Sequence, residues 1–257
     1  MRIDLNSDMG ESFGAYTLGA DEEILRCVTS ANVACGWHGG DPHVMRQTIA
    51  RAKALGVAVG AHPSYPDLLG FGRRVMQITR AEARDYMLYQ IGALRAFAEA
   101  AGIRLQHVKP HGALYNAAAK DRELSLGIAE GVADAGGDLI LVGLPGSEIV
   151  KAGREVGLRV AREAFGDRAY NGDGSLVSRK LAGSLITDPD AVAERVLGFT
   201  QGRVRAITGK EIRIEADTVC LHGDTPGAGA IARRVRERLE AAGIQVVPMG
   251  SFLGRPA

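Results

Sequence analysis

Apolar residues along the chain fall in short runs, separated by longer stretches in which they return with helical spacing. A short apolar run bounded by turn residues reads as a buried strand, and a 3.6-residue recurrence as an amphipathic helix. The runs predict strands at Ile3–Asn6, Thr29–Cys35, Val57–His62, Leu105–His111, Leu139–Leu144, Arg159–Phe165 and Thr218–His222, with a weaker eighth at Gln245–Met249. Between them the pattern predicts helices over Asp21–Val28, Pro42–Leu55, Arg80–Ala101, Arg122–Ala135, Glu148–Val156, Pro189–Thr200 and Gly229–Ala242. Asp41-Pro42 has the form of an N-cap followed by proline at the first helical position. Thr79 and Glu82 have the spacing of a capping box. Gly56, Gly102, Gly157 and Gly243 each follow a predicted helix. The broken pattern of Arg203–Ile214 suggests a small hairpin inserted before the seventh strand.

Regular alternation of strand and helix points to parallel strands with helical crossovers. Seven or eight such units suit a (β/α) barrel, and a doubly wound open sheet is the competing layout. No Ser/Pro-rich tract or charge block divides the chain, so residues 1–257 are expected to form one domain.

Polar residues of unusual density sit just after the strands. They read DLNSDMGE at Asp4–Glu11, SANVACGWHGGD at Ser30–Asp41, GAHPSYPD at Gly60–Asp67, HVKPHGALYN at His107–Asn116, REAFGDRAYNGDG at Arg162–Gly174 and CLHGD at Cys220–Asp224. In barrels and open sheets the carboxyl ends of the strands form the ligand face. Strand alternation puts Asp4 with Asn6, His107 with Lys109 and His111, and Cys220 with His222 and Asp224, each set opposite apolar neighbours. The polar sets are therefore expected to point inward at one wet pocket, with Ala58, Gly60 and Gly36 leaving room for a ligand. Read singly, Asp41, Asp67 and Asp121 are cap or turn residues. His38 and His62 with Asp4 or Asp8 could hold a divalent ion; alternatively His62 and His111 carry protons.

Composition narrows the classes. The chain has 257 residues, 46% hydrophobic and 24% charged, with a formal net charge of +1. Neither disorder nor an electrostatic partner such as nucleic acid or an anionic membrane is suggested. No apolar run has the length of a membrane span. Cys27, Cys35 and Cys220 form no CxxC pair, and the start MRIDLNSDMG lacks the layout of a signal peptide, so a cytoplasmic location is expected. There is no GxxxxGK[ST] loop, no GxSxG elbow and no glycine fingerprint after the first strand; LVGLPGSE at Leu141–Glu148 reads as a turn.

Taken together, DLNSDMGE, SANVACGWHGGD, GAHPSYPD, GFGRR at Gly70–Arg74, KPHGALYN and CLHGD resemble the LamB/YcsF family, from Asp4 to about Phe252. The resemblance implies an irregular TIM-like (β/α)7 barrel of the glycoside hydrolase/deacetylase type. It implies the A-subunit role of an ATP-dependent 5-oxoprolinase, cleaving 5-oxo-L-proline to L-glutamate with ATP hydrolysed to ADP and phosphate, alongside partner subunits B and C.

A lactam is a resonance-stabilised amide whose ring closes readily, so phosphoryl transfer to its oxygen would supply activation and drive. Such a transfer wants cations around the phosphates and a magnesium ion on carboxylates. On this reading Asp4, His62, Lys109 and His111 are the candidate catalytic groups. Asn6, Asn32, Arg73, Arg74 and His222 are candidates for lactam, carboxylate or phosphate. Asp8, Glu11, His38 and Asp224 are candidates for a metal. Two alternatives stand beside it: an ATP-independent, metal-dependent amide or N-acetyl hydrolase, and a non-catalytic protein of the same assembly that binds 5-oxoproline.

Overall fold

The computed structural model describes residues 1–178, 180–223, 225 and 227–254. The elements follow in the order β1 (Arg2–Met9), α1 (Asp21–Leu25), β2 (Ser30–Ala34), α2 (Pro42–Ala54), β3 (Ala58–His62), α3 (Arg80–Ala100), β4 (His107–Val108), α4 (Gly112–Ala118) and α5 (Arg122–Ala135). They continue as β5 (Ile140–Gly143), α6 (Glu148–Glu155), β6 (Arg159–Phe165), α7 (Pro189–Thr200), β7 (Arg203–Arg205), β8 (Glu211–Arg213), β9 (Thr218–Cys220), α8 (Ala228–Ala241) and β10 (Gln245–Val246).

Strands pair in parallel in the order β1-β2-β3-β4-β5-β6-β9, and β9 returns to β1 through Asp4↔Thr218, Leu5↔Val219 and Asn6↔Cys220. The sheet is thus a closed seven-stranded (β/α) barrel, and the open sheet is excluded. β10 touches β1 only at Arg2↔Gln245 and Ile3↔Val246, so it braces the amino end and is not an eighth stave. The 203–214 segment is the expected antiparallel hairpin, β7 against β8.

Local chemistry explains the boundaries. Asp41 Oδ1 accepts from His43 N and Val44 N with Pro42 opening α2, and Thr79 and Glu82 close a reciprocal capping box on α3. Outward residues such as Ile3, Leu5, Val59, Val108 and Val219 pack under the helices in one continuous core. Inside the amino end, Ile140, Val142 and Ala161 pack on Met249 of a 3-10 turn, which plugs the barrel floor.

β4 is shorter than the expected Leu105–His111 run. Pro110 has no N–H for a ladder. His111 is the N-cap of α4, which the hydrophobic pattern did not announce, and Gly112 turns the chain into it at φ +54°.

Candidate active site

Inward side chains form layers from floor to mouth. At the floor, Asp4 Oδ1 accepts from Ser30 Oγ (2.6 Å), Thr29 Oγ1 (2.8 Å) and Met249 N (3.2 Å), and Oδ2 from Thr218 Oγ1 (2.5 Å). Burial pushes this carboxyl up to about 6 against those hydrogen bonds. Asp4 is completely enclosed beneath the polar layers, so the structure corrects its expected catalytic role: it clasps the floor plug and cannot meet a substrate.

The middle layer is a buried amide relay. Asn6 Nδ2 donates to Glu163 Oε1 (3.1 Å) and Thr218 Oγ1 (2.7 Å). Asn32 Nδ2 donates to Asn6 Oδ1 (2.7 Å) and Asp8 Oδ1 (2.8 Å). Burial pushes His107 down to about 3, so its ring is neutral, and Nε2 donates to Asn32 Oδ1 (2.7 Å). Both asparagines are fully buried. They hold Asp8 and Glu163 and do not reach a lactam edge, contrary to expectation. The space above Gly60 is likewise not a ligand's: a Cβ there would lie 2.2 Å from His107 Nε2.

The upper layer opens on a cavity of about 550 Å³. Lys109 Nζ donates to Asp8 Oδ1 (2.8 Å), pairs with Glu163 Oε1 (3.0 Å) and meets Cys220 Sγ (3.1 Å). Burial would lower the ammonium, but Asp8 above all, with Cys220 and Glu163, holds it well above its ordinary value. Burial would raise Asp8, but the His62 and Lys109 charges override it and hold the carboxyl well below the usual range. Lys109 lines the cavity with its donors directed at Asp8, Glu163 and Cys220.

Beside this pair stands an imidazole cluster. His111 Nε2 lies 2.9 Å from the Phe71 carbonyl, so that nitrogen carries the proton. Burial holds the His111 ring well below its usual range and therefore neutral, leaving Nδ1 as an acceptor. His62 Nε2 lies 3.0 Å from His111 Nδ1, and its Nδ1 lies 2.7 Å from the Lys109 carbonyl. His62 Nε2 also lies 3.4 Å from Asp8 Oδ2. His38 stacks on His111 at 3.7 Å, with Nε2 3.0 Å from Glu11 Oε1. Burial also holds His38 neutral, and its buried Nδ1 has no hydrogen bond among the described residues.

Glu11, His38, His62 and His111 bring ligand atoms within 4.8 Å of one another. Four ligand atoms converge here and the buried His38 Nδ1 has no hydrogen-bond partner among the described residues, so the residues fit a metal ion. Three imidazoles and one carboxylate suit a zinc- or iron-class ion; magnesium prefers oxygen ligands alone. The donor set thus departs from the expected Asp8, Glu11, His38 and Asp224. Asp8 lies in a separate group with Cys220 and His222, and Asp224 lies outside the described residues.

Across the cavity, His222 Nδ1 lies 2.8 and 3.0 Å from the two Asp167 oxygens, and Thr225 Oγ1 donates to Asp167 Oδ2 (2.7 Å). His222 is therefore an oriented Asp–His pair facing the pocket. Arg73 lines the mouth. Arg74 does not: it is spent on Asp67, Nε donating to Oδ1 at 2.9 Å, and this pairing lowers the Asp67 carboxyl.

The fold has counterparts among known proteins. Residues 3–254 match the LamB/YcsF family. The chain belongs to the LamB/YcsF family. Among its LamB/YcsF relatives, the A subunit of 5-oxoprolinase from Thermococcus onnurineus is 58% identical over 254 residues, covering 98% of this chain and all of the relative. That of Pyrococcus furiosus is 56% identical over 254 residues with the same coverage. The crystal structure of the lactam utilization protein from Thermus thermophilus is 50% identical with a TM-score of 0.92, covering 96% of this chain and 99% of that one. A peptidoglycan N-acetylglucosamine deacetylase shares the fold at 12% identity (TM-score 0.52, 99% of this chain, 89% of that one).

Within this LamB/YcsF barrel, sequence reasoning did not single out Glu163, Asp167 or the Cys220 contact with Lys109. Glu163 carried a signal: an acid inside a buried run, at the same parity as Ala161 and Phe165. Asp167 lies within the polar Arg162–Gly174 segment, but only the fold brings it to His222.

Proposed function

We propose that this chain opens the lactam ring of 5-oxo-L-proline to give L-glutamate. It does so as the A component of a cytoplasmic assembly with subunits B and C that hydrolyses ATP to ADP and phosphate. The observation that carries this reading is the convergence of Asp8–Lys109, His62–His111 and His222–Asp167 on one cavity. The relatives, named as the A component of 5-oxoprolinase and as a lactam utilization protein, support the substrate class.

The residues divide the work of a lactam hydrolysis. Asp8, ionised and facing the cavity, aligns the attacking water and takes up one of its protons. The positive charge of Lys109, held beside Asp8, offsets the charge that develops on the carbonyl oxygen. His222, fixed by Asp167, delivers a proton to the leaving ring nitrogen. Water has then added oxygen to carbon and hydrogen to nitrogen, and the product is an amino acid. ATP supplies the drive that an amide of this kind lacks, and we assign that activation to the assembly and the ring opening to this pocket.

Purified chain combined with subunits B and C should release glutamate and phosphate together, only when 5-oxo-L-proline and ATP are both present. Glutamate release without ATP would remove the coupling.

The imidazole cluster favours a second reading, a metal-dependent amide hydrolase that needs no ATP. A metal held by Glu11, His38, His62 and His111 would supply Lewis-acid polarisation. Elemental analysis of the purified chain, with activity before and after chelation, separates the two: stoichiometric metal and chelator-sensitive, ATP-independent amide cleavage would support it.

A further inference from the structure

Among the described residues, Phe71 is the one non-glycine residue with a left-handed backbone (φ +54°). A bulky side chain is crowded in that region, so the conformation persists only where the surroundings impose it. Here the turn between β3 and α3 imposes it. Phe71 N donates to the Leu68 carbonyl (3.2 Å), Gly72 N to the Asp67 carbonyl (2.9 Å) and Gly70 N to Asp67 Oδ1 (2.9 Å). On the other side Ala113 N, in the first turn of α4, donates to the Gly72 carbonyl (2.9 Å). The turn lies flush on the imidazole cluster: a Cβ on Gly72 would stand 2.7 Å from His111 Cδ2.

This backbone aims the Phe71 carbonyl at His111 Nε2 (2.9 Å). A carbonyl only accepts, so Nε2 carries the proton, and in a neutral ring Nδ1 then keeps its lone pair. That inner nitrogen lies 3.0 Å from His62 Nε2 and 3.4 Å from Glu11 Oε1. The Phe71 ring closes over the same group, edge-to-face with His111 at 5.2 Å and with His38 at 5.5 Å. With Phe71 in the ordinary right-handed or extended region the carbonyl turns away, and the His111 proton is free to move to the inner nitrogen.

We propose that Phe71 is a positioning residue: its left-handed backbone fixes the tautomer of His111, so that the inner nitrogen offers a lone pair to an electropositive partner. That partner is an N–H such as that of His62, or a metal ion shared with Glu11, His38 and His62. Phe71 acts through His111 and takes no part in proton transfer itself. Its effect on turnover rests on the ring-opening reading above; the tautomer does not.

Two variants that both delete the ring separate backbone from ring. Asparagine enters the left-handed region readily, whereas valine, branched at Cβ, is a poor fit there. Long-range nitrogen–proton NMR correlation on the isotopically labelled full chain reads the His111 tautomer, and the reconstituted assembly gives kcat and KM for 5-oxo-L-proline. Phe71→Asn should keep the Nε2–H tautomer and hold kcat within about threefold of the parent. Phe71→Val should populate the Nδ1–H tautomer and lower kcat at least about fivefold, because branching adds to a penalty Phe71 already bears, with KM moved far less. Should valine prevent folding, Asp67→Ala, which unties the turn from Gly70 N, should shift the tautomer in the same way, and adding Phe71→Asn should restore it. NMR on the metal-loaded and metal-free chain tells a bound ion from a proton as the partner. A parent chain with the proton on Nδ1, a Phe71→Val chain with parent tautomer and kcat, or equal losses in Phe71→Asn and Phe71→Val would each overturn the assignment. A parent assembly that releases no glutamate would overturn the ring-opening reading, while the NMR result still decides the tautomer.

Discussion

Lys109 Nζ lies 2.8 Å from Asp8 Oδ1, joining β1 to the end of β4 across 101 residues of chain. The ammonium is 3% exposed and also serves Glu163 Oε1 at 3.0 Å, so one cation neutralises two carboxylates in the barrel interior. Fixing Asp8 in its ionised state and fixing the barrel are therefore one act.

Replacing Lys109 by Met should leave Asp8 and Glu163 facing each other without a counter-ion. Removing one partner of a buried pair typically costs about 3–5 kcal/mol. Denaturant unfolding of Lys109→Met should show a loss of that order, with 5-oxoproline-dependent turnover abolished. A stability within about 1 kcal/mol of the parent, the size of a surface pair, would contradict the enclosed geometry.

Gly60 should not tolerate a methyl group. Its Cβ would overlap the His107 ring at 2.2–2.4 Å, and that ring is locked to Asn32. Gly60→Ala is expected to cost about 1–3 kcal/mol, as overpacking in a filled core does. Calorimetric melting should report the loss; an unchanged Tm would mean the His107 ring moves aside freely.

These residues show how far the amino-acid sequence could be read. The period-two pattern put Asp4 and Asn6 on one face of β1, and Asp8 continues that face in the structure, but alternation specifies a face and not a depth. Asp4 and Asp8 stand about 13 Å apart along a strand that rises about 3.3 Å per residue. One lies on the floor and the other in the pocket. Gly60 looked like room for a ligand because nothing local tells that His107, from the next strand, fills the gap. The strand-to-helix alternation and the caps at Asp41 and Thr79 were legible because they depend on neighbours in sequence. The Asp167–His222 pair was not, because its two halves meet only when β6 and β9 lie side by side.

Asp4 should imprint a particular pH dependence on stability. Its carboxyl titrates near 6 in the folded state against 3.8 in an unfolded chain. A folded value raised above the unfolded one contributes stability that is complete below pH 3.8 and lost as pH rises through about 6. Relative to Asp4→Asn, the parent should therefore lose up to about 3 kcal/mol between pH 4 and 7. Chemical denaturation of both proteins across that range is the check. A difference that is flat with pH, or that grows in the parent's favour, would show that the four hydrogen bonds outweigh burial.

The His222–Asp167 pair should act on the chemical step. His222→Gln is expected to lower kcat by about 10²–10⁴, the range for loss of a general acid. Asp167→Asn should lower kcat in the same direction, since it loses the negative charge and one of the two oxygens that hold the ring. Single-turnover kinetics of the assembly should show both losses in glutamate formation. Changes confined to KM would reassign the pair to substrate binding.

The most direct test of ring opening in this pocket is Asp8→Asn, assayed in the complete assembly for glutamate and phosphate release from 5-oxo-L-proline and ATP. The substitution keeps the shape of the side chain that Asn32 and Lys109 hold, and removes the charge that aligns the water. We expect glutamate formation to fall by at least about a hundredfold, the scale of a lost proton-transfer group, while the protein stays folded. Glutamate formation at the parent rate would contradict the account.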